Sequence, residues 1–183
     1  HGIVDFDVVA ATSAGACTTA FFVARQFELF SEVWQKHLHD GRFINLKNVF
    51  SRRHSVMDID YLIYEVFQKL APLDIPALRH SKTKFFITAT DCETGQPVYF
   101  NNHEHDIFLS LKASAAMPVA YKHPVVIDGR RYIDGGISDS IPIQKAIDEG
   151  CEEVYLLLTR PRGYRMSPSS ILPKFFAKKF PAV

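Results

Sequence analysis

Phe6 to Ala11 is a short valine-bearing run, apolar apart from Asp7, that turns at Ser13, within the corner Ala11-Thr12-Ser13-Ala14-Gly15, into an alanine-rich stretch with helical spacing. The run reads as a buried strand. Ala14 to Phe27 carries apolar residues around most of its circumference, as a buried helix does. Strand, tight corner and buried helix in direct succession leave few architectures open: the strand belongs inside a sheet and the helix has to cover it.

The remaining pattern extends this picture. A second helix is expected from about Glu28 to Leu38, closed by Gly41. Asp58 can cap a third, in which Ile59, Leu62, Ile63, Val66, Phe67 and Leu70 fall on one stripe before Pro72. Lys84 to Thr90 and Pro97 to Phe100 read as strands joined through Glu93-Thr94-Gly95, and Val125–Ile127 and Arg131–Ile133 flank the hairpin dipeptide Asp128-Gly129. Ile107 to Ala116 and Ile143 to Ile147 read as helices, and Val154 to Leu158 as a further buried strand. Buried strands alternating with helices predict an α/β fold with a mainly parallel central sheet flanked by helices.

The bulk numbers narrow the function. With 183 residues, 47% of them hydrophobic and 13% aromatic, the chain can bury a substantial core. Its 21 basic and 20 acidic residues leave a net charge of +1, so no global field marks a nucleic-acid partner. The three cysteines, Cys17, Cys92 and Cys151, are widely spaced and form no CxxC, as expected of reduced thiols in a cytoplasmic or membrane-peripheral protein. No apolar run approaches the roughly 18 residues that cross a bilayer. Residues 160–183 mix Arg160, Arg162, Arg165, Lys174, Lys178 and Lys179 with Tyr164, Phe175, Phe176 and Phe180. That segment reads as a solvated connector, with peripheral contact to a lipid surface as the alternative.

A serine on a strand-to-helix corner is the nucleophile-elbow arrangement, in which the turn lifts Oγ clear of the backbone and small neighbours leave room for an acyl group. Here the neighbours are Ala11, Ala14, Gly15 and Ala16, with Ala11 where the G-x-S-x-G pattern has its first glycine. The positive end of the following helix favours a developing oxyanion, and the Ala14 N–H is a candidate donor. On these residues alone Ser13 reads equally as a helix N-cap. A serine nucleophile needs a base. One option is a triad of Ser13, Asp91 and His123. It leaves unexplained why Asp134, at the end of a hairpin strand, is followed by Gly135 and Gly136, which permit a close approach by another chain segment; a turn aspartate is the plain alternative.

Taken together, the elbow ATSAGA, the segment ATDCETGQPVYF, the segment KASAAMP and the run DGRRYIDGGISDSIPI resemble a patatin-like phospholipase of the bacterial type, over about Ile3 to Thr159. The resemblance implies a Ser-Asp dyad without histidine, with Ser13 as nucleophile, Asp134 as general base, and Ser114 and Pro118 bracing the site. It implies a serine acyl hydrolase acting on lipid carboxylic esters, of phospholipase A or lysophospholipase type, through an acyl-enzyme. The substrate is then a lipid or small ester, with no cofactor and no metal. A catalytically silent patatin-like domain binding lipid or protein is the alternative.

The resemblance also implies a glycine-rich oxyanion loop one strand and one helix before the elbow, which does not occur between His1 and Ser13. Residues 1–159 are accordingly expected to be a patatin-like core, incomplete at its N-terminus. Losing one oxyanion donor costs about 10²–10³ in turnover, so this chain by itself is expected to be weakly active or inactive. Cys17 reads as a buried structural thiol, His103-Glu104-His105-Asp106 as an exposed polar loop, and Asp91 as a residue that satisfies its own turn.

Overall fold

The computed structural model describes residues 5–39, 41–51, 54–161 and 163. Its sheet is built on β2 (Lys84–Asp91), in which every residue after Lys84 is buried. A strand wrapped on both faces and both edges has no side that can carry exposed polar groups. β1 (Val8–Thr12) runs parallel to it, with Val8 opposite Lys84 and Thr12 opposite Thr88. β3 (Pro97–Asn101) returns antiparallel after the Cys92–Gln96 connection, with Phe86 opposite Asn101, Thr88 opposite Tyr99 and Thr90 opposite Pro97. β4 (Val125–Ile127) and β5 (Arg130–Asp134) form the hairpin whose two-residue turn has positive φ at both Asp128 (49°) and Gly129 (77°), the geometry that a tight hairpin demands. β5 pairs antiparallel with β2, with Asp91 opposite Tyr132 and Ala89 opposite Asp134.

β3 occupies one edge of β2 as far as Thr90, so β5, which also pairs at Ala89 and Thr90, has to take the edge used by β1. There β1 ends at Thr12 beside Thr88, and β5 ends at Asp134 beside the next residue, Ala89. The two strands approach from opposite directions and meet tip to tip.

Helices cover the sheet. α1 (Ala14–Val23) buries Ala16, Cys17, Ala20, Phe21 and Val23 and is followed by Arg25 in the left-handed region (φ 62°). α2 (Phe27–Glu32) runs on into a π-helical turn, Val33–His37. α3 (Tyr61–Leu70), also π-helical, buries Leu62, Ile63, Val66 and Phe67, and Asp58 Oδ1 accepts the Tyr61 N–H at 2.9 Å. The Phe21 and Phe67 rings meet edge to face at 5.0 Å, joining α1 to α3 in the core. α4 (Ile75–His80) starts at Asp74, which accepts the Ala77 N–H. α5 (Ile107–Ala115) is capped by Asp106 and packs on β2 and β5, and α6 (Ile143–Asp148) lies against β1.

The fold is α/β as expected, with three differences from the sequence reading. The sheet is mixed rather than mainly parallel: β1 and β2 are parallel, joined by a crossover through α1 to α4, whereas the other pairings are antiparallel. Short connections such as Asp128-Gly129 can only reverse the chain, and a parallel neighbour needs a long crossover. Val154–Leu158 forms no strand. Its residues are exposed, Leu157 by 98%, and Tyr155 touches Phe6 ring to ring at 6.0 Å. An apolar run records a tendency to be buried, but a strand also has to pair, and this run pairs with none of the described strands. Finally, α4 is a helix where the sequence pattern predicts none, because six residues are too few to set a helical period; the signals it does carry are its cap and Pro76 in the first turn.

The expected C-terminal segment, 160–183, lies outside the described residues apart from Arg160, Pro161 and Gly163. Among the described residues no helix is long and apolar enough to cross a membrane.

Candidate active site

Ser13 is the single residue between β1 and α1, and its backbone (φ 55°, ψ −128°) lies where side chains other than glycine are rarely found. Such a conformation costs about 1–3 kcal/mol and persists only when neighbouring contacts enforce it. Two contacts do so. The Ser13 N–H donates to Ser114 Oγ at 2.8 Å, from the last turn of α5, and Ser13 Oγ donates to Asp134 Oδ2 at 2.6 Å. A hydrogen bond to a charged carboxylate contributes about 1.5–3 kcal/mol, enough to offset most of the strain.

The N-cap reading of Ser13 does not describe this geometry. Its side chain makes no capping bond to α1 and is spent on Asp134 instead. The α-helical ladder begins with the Cys17 N–H on the Ser13 carbonyl, so the N–H groups of Ala14 and Gly15 precede it, at an exposed helix start. A Cβ on Gly15 would meet nothing within 4 Å among the described residues.

Asp134 has two jobs, one per oxygen. Oδ1 accepts the Gly136 N–H at 2.7 Å, as a turn aspartate does, and Oδ2 faces Ser13. Asp134 is only 2% exposed, and burial pushes its pKa above the ordinary 3.8, against the opposing pull of the hydrogen bonds from Ser13 and Gly136. The glycines make this placement possible. A Cβ at Gly135 would sit 2.2 Å from the Thr88 carbonyl oxygen, and one at Gly136 would sit 2.9 Å from Asp134 Oδ1. The chain leaving β5 therefore presses directly on the backbone of β2, an approach closed to any other residue.

Other candidates fall elsewhere. Asp91 Oδ1 accepts the N–H groups of Glu93 and Thr94 at 2.7 and 2.9 Å, holding its own turn, and His123 is exposed. The structure does not bring Asp91 and His123 together with Ser13 as a triad. Cys17 is buried under the site, and burial, reinforced by the Asp134 charge, pushes its thiol up to about 12, so it is not a thiolate nucleophile. In the segment 103–106, Asp106 caps α5 and His103 Nδ1 lies 3.1 Å from the Arg79 carbonyl. Pro118 is buried just after α5, where Asp134 N–H donates to the Ala116 carbonyl at 3.1 Å.

A serine at a strained strand-to-helix corner, bonded directly to a buried aspartate that precedes two glycines, is an arrangement that can be compared with known proteins. The family model described as Patatin-like phospholipase matches residues 2–147. The chain belongs to that family. The Escherichia coli K12 protein named "Uncharacterized protein YjjU" is 28% identical over 166 residues, covering 89% of this chain and 46% of that protein. The patatin-like chain thus spans about half the length of the curated relative it matches.

Sequence reasoning missed the groups that seat this patatin-like site on its sheet. Thr90 Oγ1 donates to the Asp134 carbonyl at 2.8 Å and lies 2.7 Å from Ser138 Oγ. Thr12 Oγ1 donates to the Asp139 carbonyl at 3.1 Å, and Tyr99 OH donates to Asp139 Oδ2 at 2.7 Å. The available signal was that Thr12, Thr88, Thr90 and Tyr99 share one sheet face, which only the register between strands reveals.

Proposed function

We propose that the protein is a serine acyl hydrolase that cleaves carboxylic esters of lipids, of phospholipase A or lysophospholipase type, with Ser13 as nucleophile and Asp134 as general base. The observation that carries the reading is the 2.6 Å hydrogen bond from Ser13 Oγ to Asp134 Oδ2, made by a hydroxyl that does no capping. The lipid class rests on membership of the patatin-like phospholipase family, whose members are lipid acyl hydrolases.

Ser13 Oγ attacks the ester carbonyl while Asp134 Oδ2 takes its proton, and the oxyanion forms against the N–H groups at the start of α1. The intermediate collapses as Asp134 returns the proton to the leaving alcohol. Water then adds to the acyl-enzyme, giving its proton to Asp134, and the fatty acid leaves as Ser13 recovers a proton. Burial serves this cycle because a carboxylate at its ordinary pKa is a feeble base near neutrality.

The test is a fluorophosphonate probe applied to the full-length protein, followed by peptide mapping. Label on Ser13, lost in Ser13→Ala, is the expected result. An intact protein that takes no label on Ser13 is instead a silent patatin-like domain that binds lipid or a protein partner.

The direction of the Asp134 shift predicts a pH profile. The base acts only when ionised, so kcat/KM on a soluble ester is expected to rise along an acid limb whose midpoint lies above 3.8. A limb at or below that value, measured where the protein remains folded, removes the case for a buried base.

A further inference from the structure

We propose that Asp139 is a positioning residue, clasping the Ser13 side of the site to the Asp134 side while Tyr99 holds its carboxylate in place. The proposal rests on the reading of Ser13 and Asp134 as nucleophile and base. It adds groups that neither touch a substrate nor exchange a proton with it.

Asp139 is bonded in three directions. Its carbonyl accepts from Thr12 Oγ1 at 3.1 Å, and Thr12 is the residue immediately before Ser13. Its N–H donates to the carbonyl of Gly135 at 2.9 Å, and Gly135 is the residue immediately after Asp134. Its carboxylate accepts the Tyr99 hydroxyl at 2.7 Å. One residue therefore joins the end of β1 to the end of β5, at the place where the two strands meet without pairing to each other.

The sheet register explains why a clasp is needed and why Tyr99 can supply its anchor. Thr12, Thr88 and Tyr99 stand opposite one another across β1, β2 and β3, in one row on one face. The outer two are separated by two strand spacings, roughly 10 Å. Asp139 bonds to both and so bridges the row. The Thr88 hydroxyl in the middle is fully buried and has no hydrogen-bond partner among the described residues, which leaves the bridging to Asp139. No ladder hydrogen bond runs between β1 and β5, so beyond their shared register on β2 and the bonds from the end of α5, the groups that span the gap tune their separation. The Ser13–Asp134 contact crosses that same gap.

A reacting pair displaced by about 1 Å loses up to roughly 100-fold in rate. The clasp has to hold a separation and not a charge, which determines the substitutions that test it. Tyr99→Phe keeps the ring and removes the anchoring hydroxyl. Asp139→Ala removes the acceptor, whereas Asp139→Asn keeps a carbonyl oxygen that can accept from the phenol.

In the full-length protein, the rate of Ser13 labelling by a fluorophosphonate and the kcat on a soluble ester are measured together with KM and the melting midpoint. Tyr99→Phe and Asp139→Ala are expected to lower labelling rate and kcat in parallel, by about 10- to 100-fold, with KM within about twofold. Asp139→Asn is expected to recover most of what Asp139→Ala loses. If Asp139→Ala fails to fold, Tyr99→Phe against the wild type carries the comparison.

A labelled wild type whose Tyr99→Phe and Asp139→Ala variants react at the wild-type rate overturns the clasp and leaves the nucleophile assignment standing. Asp139→Asn as impaired as Asp139→Ala also overturns it, since charge and not separation is then what counts. A wild type that takes no label on Ser13 removes the nucleophile reading and the clasp with it.

Discussion

Asp134→Asn is expected to lower kcat on a soluble ester by on the order of 10³–10⁴-fold, with little change in KM. Asparagine matches the shape of the carboxylate and can still accept the Gly136 N–H through its carbonyl oxygen, as Asp134 Oδ1 does now. What it presents to Ser13 in place of Oδ2 is an NH₂ group, which donates and cannot take a proton. The contact can form with its direction reversed, so position is kept and basicity is lost. His123→Ala, at an exposed residue remote in role from this pair, is expected to leave kcat unchanged. The opposite pattern, with activity surviving Asp134→Asn and disappearing in His123→Ala, puts the base on histidine.

The same substitution carries a stability signature of opposite sign. Because burial raises the Asp134 pKa, the folded protein holds that proton more tightly than the unfolded chain. The group therefore favours folding at acid pH, and that contribution is lost as pH climbs from the ordinary carboxylate value through the folded one. At neutral pH an ionised, buried Asp134 is a cost to the fold. Asp134→Asn is accordingly expected to melt at or above the wild-type midpoint at pH 7 while being nearly inactive, a trade-off characteristic of groups kept for chemistry.

The second large effect is expected at Gly135. In Gly135→Ala the new methyl would lie 2.2 Å from the carbonyl oxygen and 2.6 Å from the carbonyl carbon of Thr88, on the strand at the centre of the sheet. Neither atom can yield without breaking β2 from its neighbours. Overpacking of this kind costs about 1–3 kcal/mol or more, a fall of roughly 2–12 °C in melting midpoint for a domain of this size. The alternative to unfolding is that residues 134–136 lift away from β2, which carries Oδ2 from Ser13 and costs up to roughly 100-fold in kcat.

Gly136→Ala provides the contrast. Its methyl would meet the Asp134 carboxylate oxygen at 2.9 Å and the Thr12 side chain at 3.9 Å, so what it displaces is the side chain of the base and not the sheet. It is expected to lose activity with a much smaller drop in melting midpoint. Equal stability losses at the two glycines would mean that contact with β2 does not set the cost.

What could be read from the amino-acid order alone was whatever depends on neighbours within about a dozen residues. The strand-to-helix corner at Ser13, the stripe of α3, the capping by Asp58 and the Asp128-Gly129 hairpin follow from side-chain period and turn chemistry, which are local. Ser13 and Asp134 could be named as partners only through the family resemblance of their motifs, since nothing in either segment specifies a distance. Tertiary structure decided the rest. It set β1 and β5 end to end on one edge of β2, paired β5 antiparallel with β2, left Val154–Leu158 exposed, and brought Tyr99 and Asp139 to the site. Each of these is a relation between segments far apart in the chain. Such relations are settled by which strand edges remain unpaired and by which buried hydroxyls still need a partner, quantities that exist only once the sheet has formed.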